Sequence, residues 1–139
     1  MYLFDTNSVS ELAVRTPHRP LVERFFTTPA QQRFISAVAL QELRYGASVH
    51  PQPHLIWQKV EREILPYVRV IDFDAAGALA AGELQALLKR VGRLTGVEDL
   101  QIGATALSRN LTLVTWNTRH FEPMPGLRVE NWFLEAQSS

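Results

Sequence analysis

The chain has 139 residues, 46% of them hydrophobic, with 14 Lys and Arg against 14 Asp and Glu and no cysteine. At about 100–200 residues per domain this predicts one domain over 1–139, large enough to bury about two-thirds of its unfolded surface without a disulfide or structural zinc. Disulfide scaffolds, thiol catalysis and thiolate metal sites are excluded, and a formal charge of zero argues against a strongly basic nucleic-acid binder unless charge is segregated over the surface. No apolar run approaches the ~18 residues of a membrane span. The N-terminus, MYLFDTNS, lacks the basic start and apolar core of a signal peptide, so a soluble, cytoplasmic protein with no membrane partner is expected.

The predicted elements alternate short apolar runs with helical stretches. Tyr2-Leu3-Phe4 reads as a strand that stops at Asp5-Thr6-Asn7, and Ser8 to Val14 as a short helix capped from that turn. Residues 20 to 27 form a second helix between Pro20 and Pro29. Phe34-Ile35-Ser36 is the next strand, running into a helix over Ala37 to Val49 with Ala39, Leu40, Leu43 and Ala47 at helical spacing. His54 to Leu65 is helical and Val68 to Phe73 β-rich. Asp74 N-caps a long helix over Ala75 to Val91, stopped by Gly92. Glu98 to Asn110 is helical, Leu111 to Thr115 a strand, Arg119 and His120 fall on a loop, and Leu127 to Glu130 is a last short strand. Continuously apolar strands alternating with helices predict a parallel sheet covered on both faces, a three-layer α/β/α sandwich. In such sheets ligands bind beyond the carboxyl ends of the strands.

Only four aspartates occur, at 5, 72, 74 and 99. Asp5 closes the first strand and projects from the carboxyl edge. Glu42 lies in the second turn of the helix after the second strand, and Asp99 in the first turn of the helix before the strand at 111–115, so three acids from distant segments can meet at one edge. Each also has an ordinary reading: Asp99 complements a helix N-terminus, worth ~0.3–1 kcal/mol, and Glu42 is a solvated helix residue. Solvation explains poorly an acid at the end of a buried strand. Two like charges ~4 Å apart repel by roughly 4 kcal/mol at an effective dielectric near 20, and three such pairs rival a stability of ~5–15 kcal/mol. Convergence therefore demands protonation or a cation. The four histidines, His18, His50, His54 and His120, have no metal-site spacing, and an all-oxygen site suits Mg²⁺ or Mn²⁺. A water activated there beside a polyanion points to phosphodiester hydrolysis.

These residues sit in motifs that resemble a known family. Leu3-Phe4-Asp5-Thr6-Asn7-Ser8-Val9-Ser10-Glu11-Leu12, Ile35-Ser36-Ala37-Val38-Ala39-Leu40-Gln41-Glu42-Leu43-Arg44-Tyr45-Gly46-Ala47, Asp99-Leu100-Gln101-Ile102-Gly103-Ala104-Thr105-Ala106 and Leu113-Val114-Thr115-Trp116-Asn117-Thr118-Arg119-His120-Phe121, with Pro125 to Trp132 behind them, resemble PIN-domain ribonucleases and specifically the VapC toxins of toxin–antitoxin pairs. The resemblance implies a PIN-like fold, Mg²⁺- or Mn²⁺-dependent cleavage of RNA, a homodimer, and a cognate VapB-like antitoxin. It carries the metal-holding and catalytic roles onto Asp5, Glu42 and Asp99. The fourth acidic position of some members is Asn117 here, whose amide can bind a coordinated water or orient Asp5 but carries no charge; this favours one tightly held ion over two. Glu98 is left outside the set because successive helix residues point about 100° apart.

Thr6 and Asn7 are read as contacts to a carboxylate or phosphate, or as helix caps. Thr115 is read as an orienter of the site, Arg119 and His120 as loop contacts to RNA or simply solvated residues, and Trp116 as a base-stacking side chain, with Trp57 and Trp132 as packing residues. An RNA- or partner-binding protein of weak or no catalytic activity stays open as a second function. A receiver-like or haloacid-dehalogenase-like phosphoryl-transfer domain ranks below it, since Asn7 stands where the latter needs Asp. With Asp5, Glu42 and Asp99 set aside, eleven acids face fourteen basic residues, twelve of them Arg, and the remainder carries +3. The zero net charge is then an acidic pocket in a mildly cationic, Arg-rich surface.

Overall fold

The computed structural model describes residues 1–134. Strands β1 (Tyr2–Phe4), β2 (Arg33–Ser36), β3 (Arg69–Ile71), β4 (Thr112–Val114) and β5 (Val129–Glu130) form one sheet in the order β3-β2-β1-β4-β5. Every pairing is parallel, and β1 lies in the middle, its Phe4 level with Ile35 of β2 and Val114 of β4. The helices are α1 (Thr6–Ser10), α2 (Arg19–Thr27), α3 (Ala37–Val49), α4 (Pro53–Glu63), α5 (Ala75–Arg90), α6 (Val97–Arg109) and α7 (Thr118–Phe121). Alternation along the strands divides the core in two. Leu3 and Leu113 pack with Leu84, Leu88, Ile102 and Phe121 of α5, α6 and α7. Phe4, Ile35 and Val114 pack with Val9, Phe25, Leu43 and Val60 of α1 to α4. Burial on both faces explains why the strands read as unbroken apolar runs, and the expected three-layer α/β/α sandwich is the architecture found.

The differences from the sequence reading are local. The first short helix starts at Thr6 and ends at Ser10, instead of covering Ser8 to Val14, because Asp5 itself is the N-cap and accepts the Ser8 N–H at 2.9 Å. Beyond Ser10 the chain continues in turns, with Leu12 bonded to Val9 and Ala13 to Ser10. Helix α4 stops at Glu63, and Leu65–Tyr67 tightens into a 3-10 turn, since Pro66 lacks an N–H and disfavours helix in the residue before it. Residues 118–121, read as loop, form the short helix α7. Asp74 caps α5 as expected, accepting the Gly77 N–H at 2.9 Å. No described helix is long and apolar enough to cross a membrane.

One close approach seats α7. A Cβ on Gly103 of α6 would lie 2.5 Å from Sδ of Met124, which is buried just after α7. Gly103 stands one turn beyond Asp99, on the same side of α6, so the contact that needs glycine also brings the α7 segment up to Asp99. Replacing Gly103 by Ala overpacks this joint and is expected to cost about 1–3 kcal/mol, measured by urea unfolding of the purified protein; an unchanged midpoint would show that Met124 yields freely.

Candidate active site

Asp5 is the first residue beyond the central strand and is only 8% exposed. Its Oδ1 accepts the Ser8 N–H at 2.9 Å, and its Oδ2 accepts the hydroxyl of Thr115, the residue that follows β4. Thr115 and Ser8 are themselves fully buried, and Ser8 Oγ donates to the Val114 carbonyl at 3.1 Å. Adjacent parallel strands thus end in a carboxylate and the hydroxyl that holds it. Burial nevertheless pushes the Asp5 pKa above the usual carboxylate value; the Thr115 and Ser8 hydrogen bonds pull against that shift, and the negative charge of Asp99 adds to it.

Glu42 reaches the same edge from α3, its Oε1 accepting the Thr6 hydroxyl at 2.9 Å. Its pKa is also raised, chiefly by partial burial, which the Thr6 bond opposes, and then by the charges of Glu98, Asp99 and Asp5. The charges of three other acids therefore act on Glu42. Glu98, left outside the sequence-derived set, lines a cleft of about 660 Å³ with Thr6, Glu42, Tyr45 and Gln101. The 100° step along a helix separates Glu98 from Asp99 but does not carry it out of the cleft. Asp99 is half-buried in the first turn of α6, and its Oδ2 lies 2.9 Å from His120 Nδ1.

Asn117 does not place its amide on Asp5. The amide nitrogen lies 3.1 Å from His120 Nε2, while the backbone N–H donates to Thr115 Oγ1 at 3.0 Å. Thr6 is at once in the first turn of α1 and on Glu42. Asn7 and Arg119 are exposed, and among the described residues neither side chain makes a hydrogen bond. Trp116 is 60% exposed and stands edge-on against Phe133, ring centres 5.6 Å apart. Trp132 is buried, and Trp57 packs beneath Arg44. His120, read from sequence as a loop contact to RNA, instead turns to Asp99, and that link is what sequence reasoning missed. Its signal was available in Asn117-x-x-His120, an i, i+3 pair that shares a face once the segment is helical, but four helical residues are too few to show a period.

The donors facing the edge are carboxylate and hydroxyl oxygens, which suit a hard divalent cation, and the pKa values of Asp5 and Glu42 are raised chiefly by burial and further by neighbouring acids, both of which a cation offsets. Among the described residues no three His, Asp or Glu side chains are drawn together as a ready cage: Glu42 is turned to Thr6 and Asp99 to His120. A second cleft of about 510 Å³ opens from the same Thr6 and Glu42 between α1, α3 and α4. Its walls are mainly apolar, including Ala13, Val14, Ile56 and Val60, with Arg15 and Lys59 beside them.

The family model for the PIN domain matches residues 2–126. The chain is a PIN-domain protein of the VapC type. It is 37% identical to the tRNA(fMet)-specific endonuclease VapC of Shigella flexneri over 131 residues, 94% of this chain and 97% of that protein. The fold superposes on the crystal structure of a DNA-bound VapBC complex from Salmonella typhimurium with a TM-score of 0.87 at 35% identity, covering 94% of this chain and 97% of that one. It matches VapBC2 from Rickettsia felis, bound to a promoter DNA fragment, with a TM-score of 0.85 at 31% identity, covering 94% and 98% of the two chains.

The raised carboxylates make a stability prediction. Between its ordinary pKa and its raised folded value, each of Asp5 and Glu42 binds more proton in the folded than in the unfolded state, so stability falls as pH rises through that window and stays reduced above it. Asp5→Asn, which keeps the shape without the charge, is therefore expected to melt at a higher temperature than the parent in EDTA near neutral pH. The gap should close as pH is lowered towards about 4, as read by calorimetry across a pH series.

Proposed function

We propose that this VapC-type chain, a single domain over 1–139, is a metal-dependent endoribonuclease and the toxin half of a toxin–antitoxin pair, with Asp5, Glu42 and Asp99 as the carboxylates that hold Mg²⁺ or Mn²⁺. The observation that carries the reading is the Asp5 carboxylate, only 8% exposed at the end of the central strand although burial opposes its charge, with the charge of Asp99 acting on it and those of Asp5, Glu98 and Asp99 on Glu42. The relatives that support it are named as ribonucleases or as a tRNA-specific endonuclease. When bound, the cation supplies Lewis acidity towards a phosphate oxygen and an activated water.

The protein's own side chains do the positioning. The Ser8 N–H and the Thr115 hydroxyl fix the plane of the Asp5 carboxylate, which keeps further lone pairs for a cation. The Thr6 hydroxyl holds Glu42 in reserve beside it. Glu98 adds negative charge at the cleft wall, which favours a cation and keeps free phosphate out. Trp116 offers an exposed face on which a base can stack, worth about 1–3 kcal/mol, while Asn7 and Arg119 supply donors to the backbone of a single-stranded substrate. Specificity then rests on local shape, because the +3 remainder is too small to bind RNA tightly by bulk charge.

A VapB-like antitoxin is assigned to the apolar cleft that shares Thr6 and Glu42 with the acidic one, since a segment lying there runs directly to the carboxylates. A homodimer is proposed as well. Leu21, Phe25 and Val60 of α2 and α4 are spent in the core, and the exposed apolar side chains on helices include Phe26 on α2, Tyr45 and Val49 on α3 and Leu55 on α4.

Asp5→Asn and Glu42→Gln are each expected to lower Mn²⁺-dependent cleavage of a structured RNA by about 10²–10³-fold, and excess EDTA to abolish it in the parent. Full activity in Asp5→Asn sinks the proposal, and RNA retained without cleavage in Mn²⁺ supports the binding-only alternative. Sedimentation velocity at micromolar concentration is expected to give a dimer that Val49→Glu dissociates; a monomeric parent removes the dimer from the proposal.

A further inference from the structure

Asn117 sits at the centre of a hydrogen-bond chain that links two of the three carboxylates. On one side its side-chain amide lies 3.1 Å from His120 Nε2, and His120 Nδ1 lies 2.9 Å from Asp99 Oδ2. On the other its backbone N–H donates to Thr115 Oγ1 at 3.0 Å, and that hydroxyl donates to Asp5 Oδ2. The donor and acceptor roles are forced by chemistry. A carboxylate only accepts and an amide NH₂ only donates. With the amide nitrogen of Asn117 facing Nε2, the Nδ1–H tautomer of His120 makes every bond in the chain run outward from Asn117 to end on Asp5 or Asp99. A carboxylate at position 117 has no side-chain donor and would reverse that bond, accepting from Nε2–H of the ring.

We infer that Asn117 and His120 are positioning residues that set the orientation of Asp99 relative to Asp5, so that the asparagine in place of a fourth acid is a donor hub rather than a lost ligand. The inference rests on the reading of Asp5 and Asp99 as metal-holding carboxylates. Partners that orient a ligating side chain through its second oxygen or nitrogen typically change metal affinity or activity by 10–100-fold. An isolated exposed pair contributes little, and His120 with 55% of its side chain exposed would be such a pair if its ring stopped at Asp99. The continuation through Asn117 and Thr115 to a carboxylate that is only 8% exposed separates the two cases.

The test compares the parent with Asn117→Leu, His120→Leu and His120→Gln. Glutamine carries one donor and one acceptor in the same sense as the Nδ1–H imidazole, so it can restore the chain that leucine breaks. Calorimetric titration with Mn²⁺ in the absence of RNA is expected to show affinity about 10–100-fold weaker in both leucine variants and largely recovered in His120→Gln. Steady-state cleavage should show a loss in kcat with KM for RNA little changed. Melting temperatures in EDTA check that the variants are folded, which partial solvent exposure of both side chains favours. Parent-like Mn²⁺ affinity in the leucine variants overturns the inference, as does a His120→Gln variant no better than His120→Leu. A parent that neither binds Mn²⁺ nor cleaves RNA overturns the proposed function together with the inference, whereas an active, Mn²⁺-binding parent with unaffected variants removes the inference alone.

Discussion

A carboxylate placed at the end of a strand that is buried on both faces has to be hydrogen-bonded or surrender its charge, and much of this structure follows from where Asp5 finds its partners. The Ser8 N–H makes Asp5 the cap of α1, so strand, acid and helix start form one continuous turn. The Thr115 hydroxyl comes from the neighbouring strand in the register that sets Phe4 beside Val114. Residues 110 positions apart in sequence therefore meet because β1 and β4 are adjacent and parallel, and both send their next residue out of the same edge.

The other acids reach that edge through helices that begin close to it. Helix α3 starts directly after β2 under the Ser36 cap, which carries Glu42 back over the Asp5 turn. Helix α6 presents Glu98 and Asp99 in its first turn, where the helix dipole favours negative charge. That favour is small beside the repulsion of neighbouring carboxylates, which adds to the burial that raises the pKa values of Asp5 and Glu42. Stability sacrificed at one place for a concentrated charge is what a functional site costs a fold. It also resolves the neutral composition, since the acids gathered at the edge are balanced by an Arg-rich remainder.

Periodicity and capping chemistry carried the reading of the fold a long way. Ala37–Val49 was delimited by its apolar spacing, and Asp74 was visible as a cap because a strand-like run ended immediately before it. The errors fell where local pattern is too short or is overruled by a neighbour. Asp5 displaced the start of α1 by acting as its own cap, Pro66 ended α4 early, and α7 has too few residues to repeat. Among the site residues, Asp5, Glu42 and Asp99 could be nominated because strand ends and helix starts in a parallel sheet have a known polarity. The placement of Glu98 in the cleft, the turn of the Asn117 amide to His120 and the Thr6 bond to Glu42 depend on rotamers and inter-helix distances that no run of residues encodes.

Composition, cysteine content and the alternation of apolar runs with helical stretches were enough to specify a parallel sheet between helices, and the polarity of that sheet was enough to say which acids share an edge. These are properties of short windows, governed by side-chain period and backbone preference. The partner of each carboxylate was settled by packing between segments far apart in the chain, as where Met124 lies close on Gly103 of α6 and His120 reaches Asp99. A hydrogen bond is won or lost within a few tenths of an ångström, and separations that fine are fixed only when the helices dock on the sheet.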